Sequence, residues 1–143
     1  MSDTIGQSRD EFVGWINMPE EPFNSHVGPY YHQVVENGSL CAFRPSATST
    51  NGLGVVHGGA LLSFADYSMY VAAQAHYATK LVVTVSISSE FLGVARPNDY
   101  VEARTEIMSA GGSLIVLRGI MTADGRPVLN YSATFKRLSE KVK

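Results

Sequence analysis

The sequence predicts an α+β domain in which one long, buried helix lies against a single antiparallel sheet of five to six strands. Three observations carry that expectation. From Gly58 to Tyr77 there is no proline, and Ala60, Leu61, Leu62, Phe64, Ala65, Met69, Val71, Ala72, Ala73 and Ala75 fall on every side of a 3.6-residue period. A helix that is apolar all round is surrounded by protein. Beyond it the period changes to two, the signature of strands. The connections between those strands are short, which favours antiparallel neighbours. The coarse order is β-β-α-β-β-β-β, one helix layered on one sheet.

The elements follow in order. Arg9 to Ile16 can form a short amphipathic helix carrying Phe12, Trp15 and Ile16, after which Pro19, Pro22 and Pro29 keep the chain irregular until about Tyr30. Residues 1–29 are therefore expected to be an arm with a short helix, and residues 30–143 a single domain. Tyr31 to Glu36 and Ser39 to Arg44 read as strands around Asn37-Gly38, a dipeptide suited to the positive φ values of a two-residue hairpin turn. A loop from Pro45 to Val56 leads into the helix. In Leu81 to Leu92, Val83, Val85, Ile87 and Phe91 alternate with Thr84, Ser86, Ser88 and Glu90, which predicts one core face and one polar face. Tyr100 to Ile107, Ser113 to Thr122 and Val128 to Arg137 are the remaining strands, separated by Gly111-Gly112 and Asp124-Gly125.

Composition narrows the function classes. A chain of 143 residues, 45% hydrophobic and 17% charged, suits one globular domain of ordinary core size. The net charge of -2 and the scattered Lys and Arg give no basic stripe, so nucleic acid is not an expected partner. The lone Cys41 excludes an intrachain disulfide, and the polar start shows no secretory pattern; a cytoplasmic location is the expectation. No apolar run approaches the roughly 18 residues of a membrane span, so no membrane association is expected.

The chemistry concentrates around the helix. Asp66 is a carboxylate inside an apolar segment, and burying a charge without partners costs several kcal/mol. It is either a hydrogen-bonded core aspartate or lies on a cavity that uses its charge. At the helix start, Gly58 and Gly59 permit close approach to backbone N-H groups that have no partner within the helix, a natural place to stabilise an oxyanion. The same glycines also suit a tight entry into the helix. Asp66 is eight residues beyond Gly58, roughly 12 Å along the axis. A base must come within about 3 Å of its target, so one chain cannot readily bring both groups to one carbon, and a second subunit is implied.

The order of elements, with His57-Gly58-Gly59 opening the helix, resembles the hotdog fold of the acyl-CoA thioesterases. Asn51 six residues before His57, Asp66 nine after it, the run Thr84 to Leu92 and the sequence Arg96-Pro97-Asn98-Asp99 resemble the phenylacetic-acid-degradation type. The likeness covers about Tyr31 to Leu138. It implies hydrolysis of an aromatic, phenylacetyl-like or medium-chain acyl-CoA, with coenzyme A as part of the substrate and no separate cofactor or metal. It further implies a homodimer with shared sites, commonly paired into a homotetramer. In that scheme Asp66 activates water, Gly58 N-H polarises the carbonyl and Gly59 lies against the substrate. His57 orients, and Thr84 assists the water. Asn51 either donates an amide hydrogen bond to His57 or helps align the thioester, or it forms an Asx turn. Arg96 either meets a coenzyme A phosphate or is a solvated turn residue. Thr84 also fits as an ordinary strand residue. Ser86 departs from relatives that often carry Asp or Asn there, which implies a different hydrogen-bond network.

Other chemistries have less support in the residues. A non-catalytic acyl-CoA-binding protein on the same scaffold is the alternative reading, and it has no need of Asp66. A hotdog hydratase needs an Asp and a downstream His on the loop-to-helix segment, whereas the only histidine after His57 is His76, near the far end of the helix. Cys41 in an apolar stretch reads as a small buried residue. The four histidines lack metal-ligand spacing. Phe64, Tyr67, Met69 and Tyr70 fit either an acyl pocket or the core, and Phe23 to Pro29 is a candidate cap for that pocket. Arg104 and Arg118 read as structural or interfacial.

Overall fold

The structure, a computed structural model, describes residues 11–139. Short helix α1 (Pro22–Val27) precedes strands β1 (Tyr31–Val35) and β2 (Gly38–Phe43). A 3-10 turn (Ala47–Ser49) leads to the long helix α2 (Gly58–Tyr77). Four strands follow: β3 (Val82–Phe91), β4 (Val101–Ala110), β5 (Leu114–Ala123) and β6 (Arg126–Arg137). All pairings are antiparallel, in the order β1-β2-β4-β5-β6-β3. The sheet lies against α2, the hotdog arrangement. Among the described residues no helix is long and apolar enough to cross a membrane.

The core is where the two periodicities meet. Leu61, Phe64, Ala65, Met69, Val71, Ala72 and Ala73 of α2 are buried, and from the sheet they meet Phe43, Val101, Ala103, Leu117, Leu129 and Phe135. Because α2 is apolar on nearly every side, burial alone specifies its rotation only loosely. A line of buried hydroxyls crosses the same core. Ser39 Oγ donates to the carbonyl of Ser68 at 2.7 Å, Ser68 Oγ meets Thr105 Oγ1 at 2.8 Å, and Thr105 Oγ1 meets the Tyr131 hydroxyl at 2.8 Å. Tyr131 in turn donates to the carbonyl of Arg104 at 3.2 Å. Unpaired hydroxyls at this depth are costly, so the chain is satisfied only when helix and sheet are aligned. Cys41 lies beside it, fully buried, and burial pushes its thiol up to about 12 against the lowering effect of Ser68 and Ser39, which makes it inert.

Several local expectations are corrected. Pro22 opens α1 rather than extending an irregular stretch, because its fixed φ and missing N-H suit the first helical turn. Of the helix expected over Arg9 to Ile16, the part before Glu11 lies outside the described residues. Phe12 to Gly14 form a turn, and Ile16 bridges His32 of β1. In the hairpin, Val35 pairs with Gly38, so the two turn residues are Glu36 and Asn37, and only Asn37 has a positive φ, 57°. Gly38 belongs to β2, where a Cβ would collide with the carbonyl of Thr105 on β4. Gly38→Ala is therefore expected to cost about 1–3 kcal/mol through overpacking. Thermal unfolding checks this: an unchanged Tm would mean that β2 and β4 separate freely.

The correction that matters for the site is in β3. Its register against β6 shifts between Thr84 and Ser86, leaving Val85 as an extra residue. Strict alternation places Thr84 and Phe91 on opposite faces. With the bulge, Thr84 pairs opposite Phe135 and Phe91 opposite Leu129, both core residues, so both side chains turn toward α2. Thr84 therefore joins the helix side instead of the separate polar face read from the sequence.

Candidate active site

The loop before α2 is held so that one backbone donor remains. Asn51 Oδ1 accepts from the N-H of Leu53 at 2.9 Å and of Val55 at 3.4 Å, an Asx turn. Its side chain thus holds the loop and makes no hydrogen bond to His57 among the described residues. The N-H of His57 donates to the carbonyl of Ser49 at 2.7 Å, and that of Val56 to the carbonyl of Ala95 at 2.8 Å. His57 is the N-cap of α2, and its Nδ1 accepts from the N-H of Gly59 at 2.8 Å. Since Nδ1 is an acceptor, the imidazole proton is on Nε2. The N-H groups of Ala60 and Leu61 reach the carbonyl of His57. In the first turn, the N-H of Gly58 then has no acceptor among the described residues.

Both glycines have close ring neighbours. A Cβ on Gly58 would stand 3.2 Å from the Phe91 ring, and one on Gly59 would stand 3.0 Å from the imidazole of His57. Phe91, brought to this side by the bulge, is 54% exposed, so an apolar ring borders the unpaired donor. Arg96 is exposed, one residue beyond Ala95, whose carbonyl is tied to Val56. Its N-H donates to Asp99 Oδ2 at 2.9 Å, while its guanidinium makes no bond among the described residues. Asp99 is also held by Arg126 at 3.1 Å.

The carboxylate has a different environment. Asp66 is half-buried on α2, and the Thr84 hydroxyl donates to its Oδ1 at 2.6 Å. Burial holds its pKa above the ordinary carboxylate range, and the Thr84 hydrogen bond works in the opposite direction. One carboxylate oxygen thus faces the strand while the group borders a cavity of about 260 Å³, whose walls include Met18, Glu21, Tyr67, Tyr70 and Val82. Of the four large α2 side chains read as pocket or core, Tyr67 and Tyr70 border this space, whereas Phe64 and Met69 are fully buried in the core. Met18 and Glu21 come from the arm, and nothing in their local sequence marks them as neighbours of Asp66. Arg104 and Arg118 form exposed ion pairs with Glu102 and Glu106, at 3.0 and 2.6 Å.

The geometry places a half-buried carboxylate, Asp66, and a backbone N-H without an acceptor among the described residues, that of Gly58, on one helix, eight residues apart. The thioesterase superfamily matches residues 53–129, more than half of the chain, and the chain belongs to that family. It is a thioester hydrolase with the hotdog fold. Among similar proteins is the candidate esterase PA0474 of Pseudomonas aeruginosa, 27% identical over 130 residues that cover 84% of this chain and 97% of the relative. The E. coli PaaI protein of the phenylacetic acid degradation operon has the same fold, with a TM-score of 0.75, 16% identity and coverage of 96% and 95% of the two chains. A hypothetical thioesterase of Streptococcus pneumoniae, solved with coenzyme A, superposes with a TM-score of 0.67 at 21% identity, covering 79% of this chain and 88% of that one.

The Asp66–Thr84 contact predicts a pH effect. Thr84→Val removes a donor that favours the ionised carboxylate, so the pKa of Asp66 rises further. The acidic limb of the kcat/KM profile is expected to move to higher pH, with roughly tenfold lower activity on that limb. A limb that stays in place would show that Thr84 does not hold the working carboxylate.

Proposed function

We propose that this thioester hydrolase acts on acyl-CoA esters carrying a phenylacetyl-like aromatic or a medium-chain acyl group. The observation that carries the reading is the Asp66 carboxylate, bonded to Thr84 and bordering a cavity, on the same helix as the unpaired N-H of Gly58. Asp66 takes a proton from water, and the water oxygen bonds to the thioester carbon. The carbonyl oxygen becomes an oxyanion against the N-H of Gly58. The C-S bond then breaks, the proton held by Asp66 passes to the leaving sulfur, and a free acid and coenzyme A thiol depart. Thr84 holds Oδ1, leaving Oδ2 for the water. His57 positions the first turn by capping Gly59, and Asn51 sets the preceding loop. Arg96 is assigned to a coenzyme A phosphate at the mouth of the site. Coenzyme A enters as part of the substrate, and no further cofactor takes part.

Gly58 and Asp66 lie eight residues apart on α2, roughly 12 Å along its axis, and this supports a site shared by two subunits, the base from one and the donor from the other. The edge of β3 supports a homodimer. It pairs only with β6 among the described residues, carries no Lys or Pro, and exposes Val85, Phe91 and Leu92 in or beside it. A pair of such dimers forms the proposed tetramer, and the cytoplasm is the proposed location. The function is tested by measuring free thiol release from phenylacetyl, benzoyl and straight-chain acyl-CoA esters. Turnover is the expected result; binding of these esters without any thiol release would assign the site to ligand binding instead.

A further inference from the structure

The cavity beside Asp66 is not built by the core of helix and sheet alone. Part of its wall is Met18 and Glu21 of the arm, and Asn24 of α1 joins them. A second cavity of about 190 Å³ lies beyond, toward Tyr30 and Pro29. Met18, Asn24 and Tyr67 border both spaces and so form the partition between them.

The two sides of that partition differ mechanically. Tyr67 is buried, and its hydroxyl lies 2.5 Å from Nδ1 of His32, itself buried at 6% exposure. Moving Tyr67 breaks a desolvated hydrogen bond. Met18 is only partly buried, packs on the edge of the core, and has an unbranched thioether that adapts to its neighbours. Its backbone is nevertheless anchored on both sides. Ile16 exchanges two backbone hydrogen bonds with His32 of β1, at 3.1 and 2.8 Å, and Phe12 stacks on Tyr31 with ring centroids 4.2 Å apart. On the other side Ser25 donates to the carbonyl of Pro19 at 3.1 Å, and Ser49 Oγ to that of Val27 at 2.6 Å.

The geometry points to the arm as the acyl-selecting wall of this site, with Met18 as the residue that sets the length limit. This rests on the thioesterase reading, since it takes the cavity at Asp66 as the place of the acyl group. A cavity of about 150 Å³ accommodates benzene, so by volume the space beside Asp66, about 260 Å³, has room for an aryl ring or a short chain against Met18, Tyr67, Tyr70 and Val82, with Glu21, Asn24 and Lys80 completing a wall that is otherwise polar. A longer chain has to pass the partition of Met18, Asn24 and Tyr67 to enter the second space, and of these Met18 is the unbranched, adaptable side chain. The substrate class is therefore compact acyl groups, with longer ones discriminated against by the arm of the same chain.

The test uses the full chain with Met18→Ala, Met18→Trp and the conservative Met18→Leu. Two profiles are recorded against acyl length, from butyryl to myristoyl and with phenylacetyl included: kcat/KM for the esters, and affinity for non-hydrolysable thioether analogues. Met18→Ala thins the partition between the two spaces and is expected to raise the long-to-short ratio about tenfold or more, while Met18→Trp lowers it and Met18→Leu keeps the original profile. Unchanged profiles in folded Ala and Trp variants overturn the assignment. If no ester is hydrolysed by the wild type, the catalytic reading fails by itself, and the affinity profiles still decide whether Met18 sets the limit.

Discussion

Replacing Asp66 by asparagine is expected to lower kcat for thioester hydrolysis by about 10²- to 10⁴-fold, the usual contribution of a positioned general base. The amide is nearly isosteric, and its oxygen still accepts the Thr84 hydroxyl, so substrate affinity is retained. Stability is expected to move the other way. Because burial raises the pKa of Asp66 above its unfolded value, the folded chain holds the proton more tightly than the unfolded one between those two values. Wild-type stability therefore falls as pH rises through that window, and the deficit persists above it. Asp66→Asn has no such dependence, so its Tm matches the wild type in acid and is higher at neutral pH. Thiol release and thermal unfolding measured across pH check both halves. A fully active variant would remove Asp66 from the mechanism.

The second large effect concerns the assignment of each site to two subunits. Gly58→Val places a branched side chain against the Phe91 ring and over the unpaired N-H, and is expected to abolish turnover alone, as Asp66→Asn does. When the two inactive chains are unfolded together, mixed in equal amounts and refolded, half of the dimers are mixed. Each mixed dimer regains one intact site of its two, built from Asp66 of one chain and Gly58 of the other. Activity should recover to about a quarter of the wild-type value, as follows from two-fold symmetry. Size-exclusion chromatography of each variant confirms that it still associates. No recovery from correctly assembled mixtures would place base and donor of a working site on the same chain.

Much of this architecture was legible because the strongest sequence signals are those that tertiary contacts do not override. Helix α2 begins and ends at the residues where its apolar run does, and β4 buries Val101, Ala103 and Thr105 in the alternation its sequence displays. Asp66 and Thr84 each stood out, one by charge and one by position. Their hydrogen bond did not, because it depends on a bulge at Val85, and one additional residue in a strand has no local mark. The hairpin turn was displaced by one residue because Gly38 answers a distant crowding by Thr105 rather than the local demand for positive φ. Met18 was invisible for a similar reason: the arm reaches Asp66 only through contacts far along the chain.

The buried hydroxyl line from Ser39 through Ser68 and Thr105 to Tyr131 gives the helix something its greasy surface lacks, a keyed position. A shift of one residue along α2 rotates every side chain by about 100° and translates it by about 1.5 Å. Such a slip changes the apolar contacts of α2 modestly, yet it unmakes the whole hydroxyl line and swings Asp66, two residues from Ser68, away from Thr84. The aim of the carboxylate is thus stored in the interior, out of reach of substrate. The cavity beside Asp66 can vary in shape along its arm-built wall without disturbing the direction in which that carboxylate points.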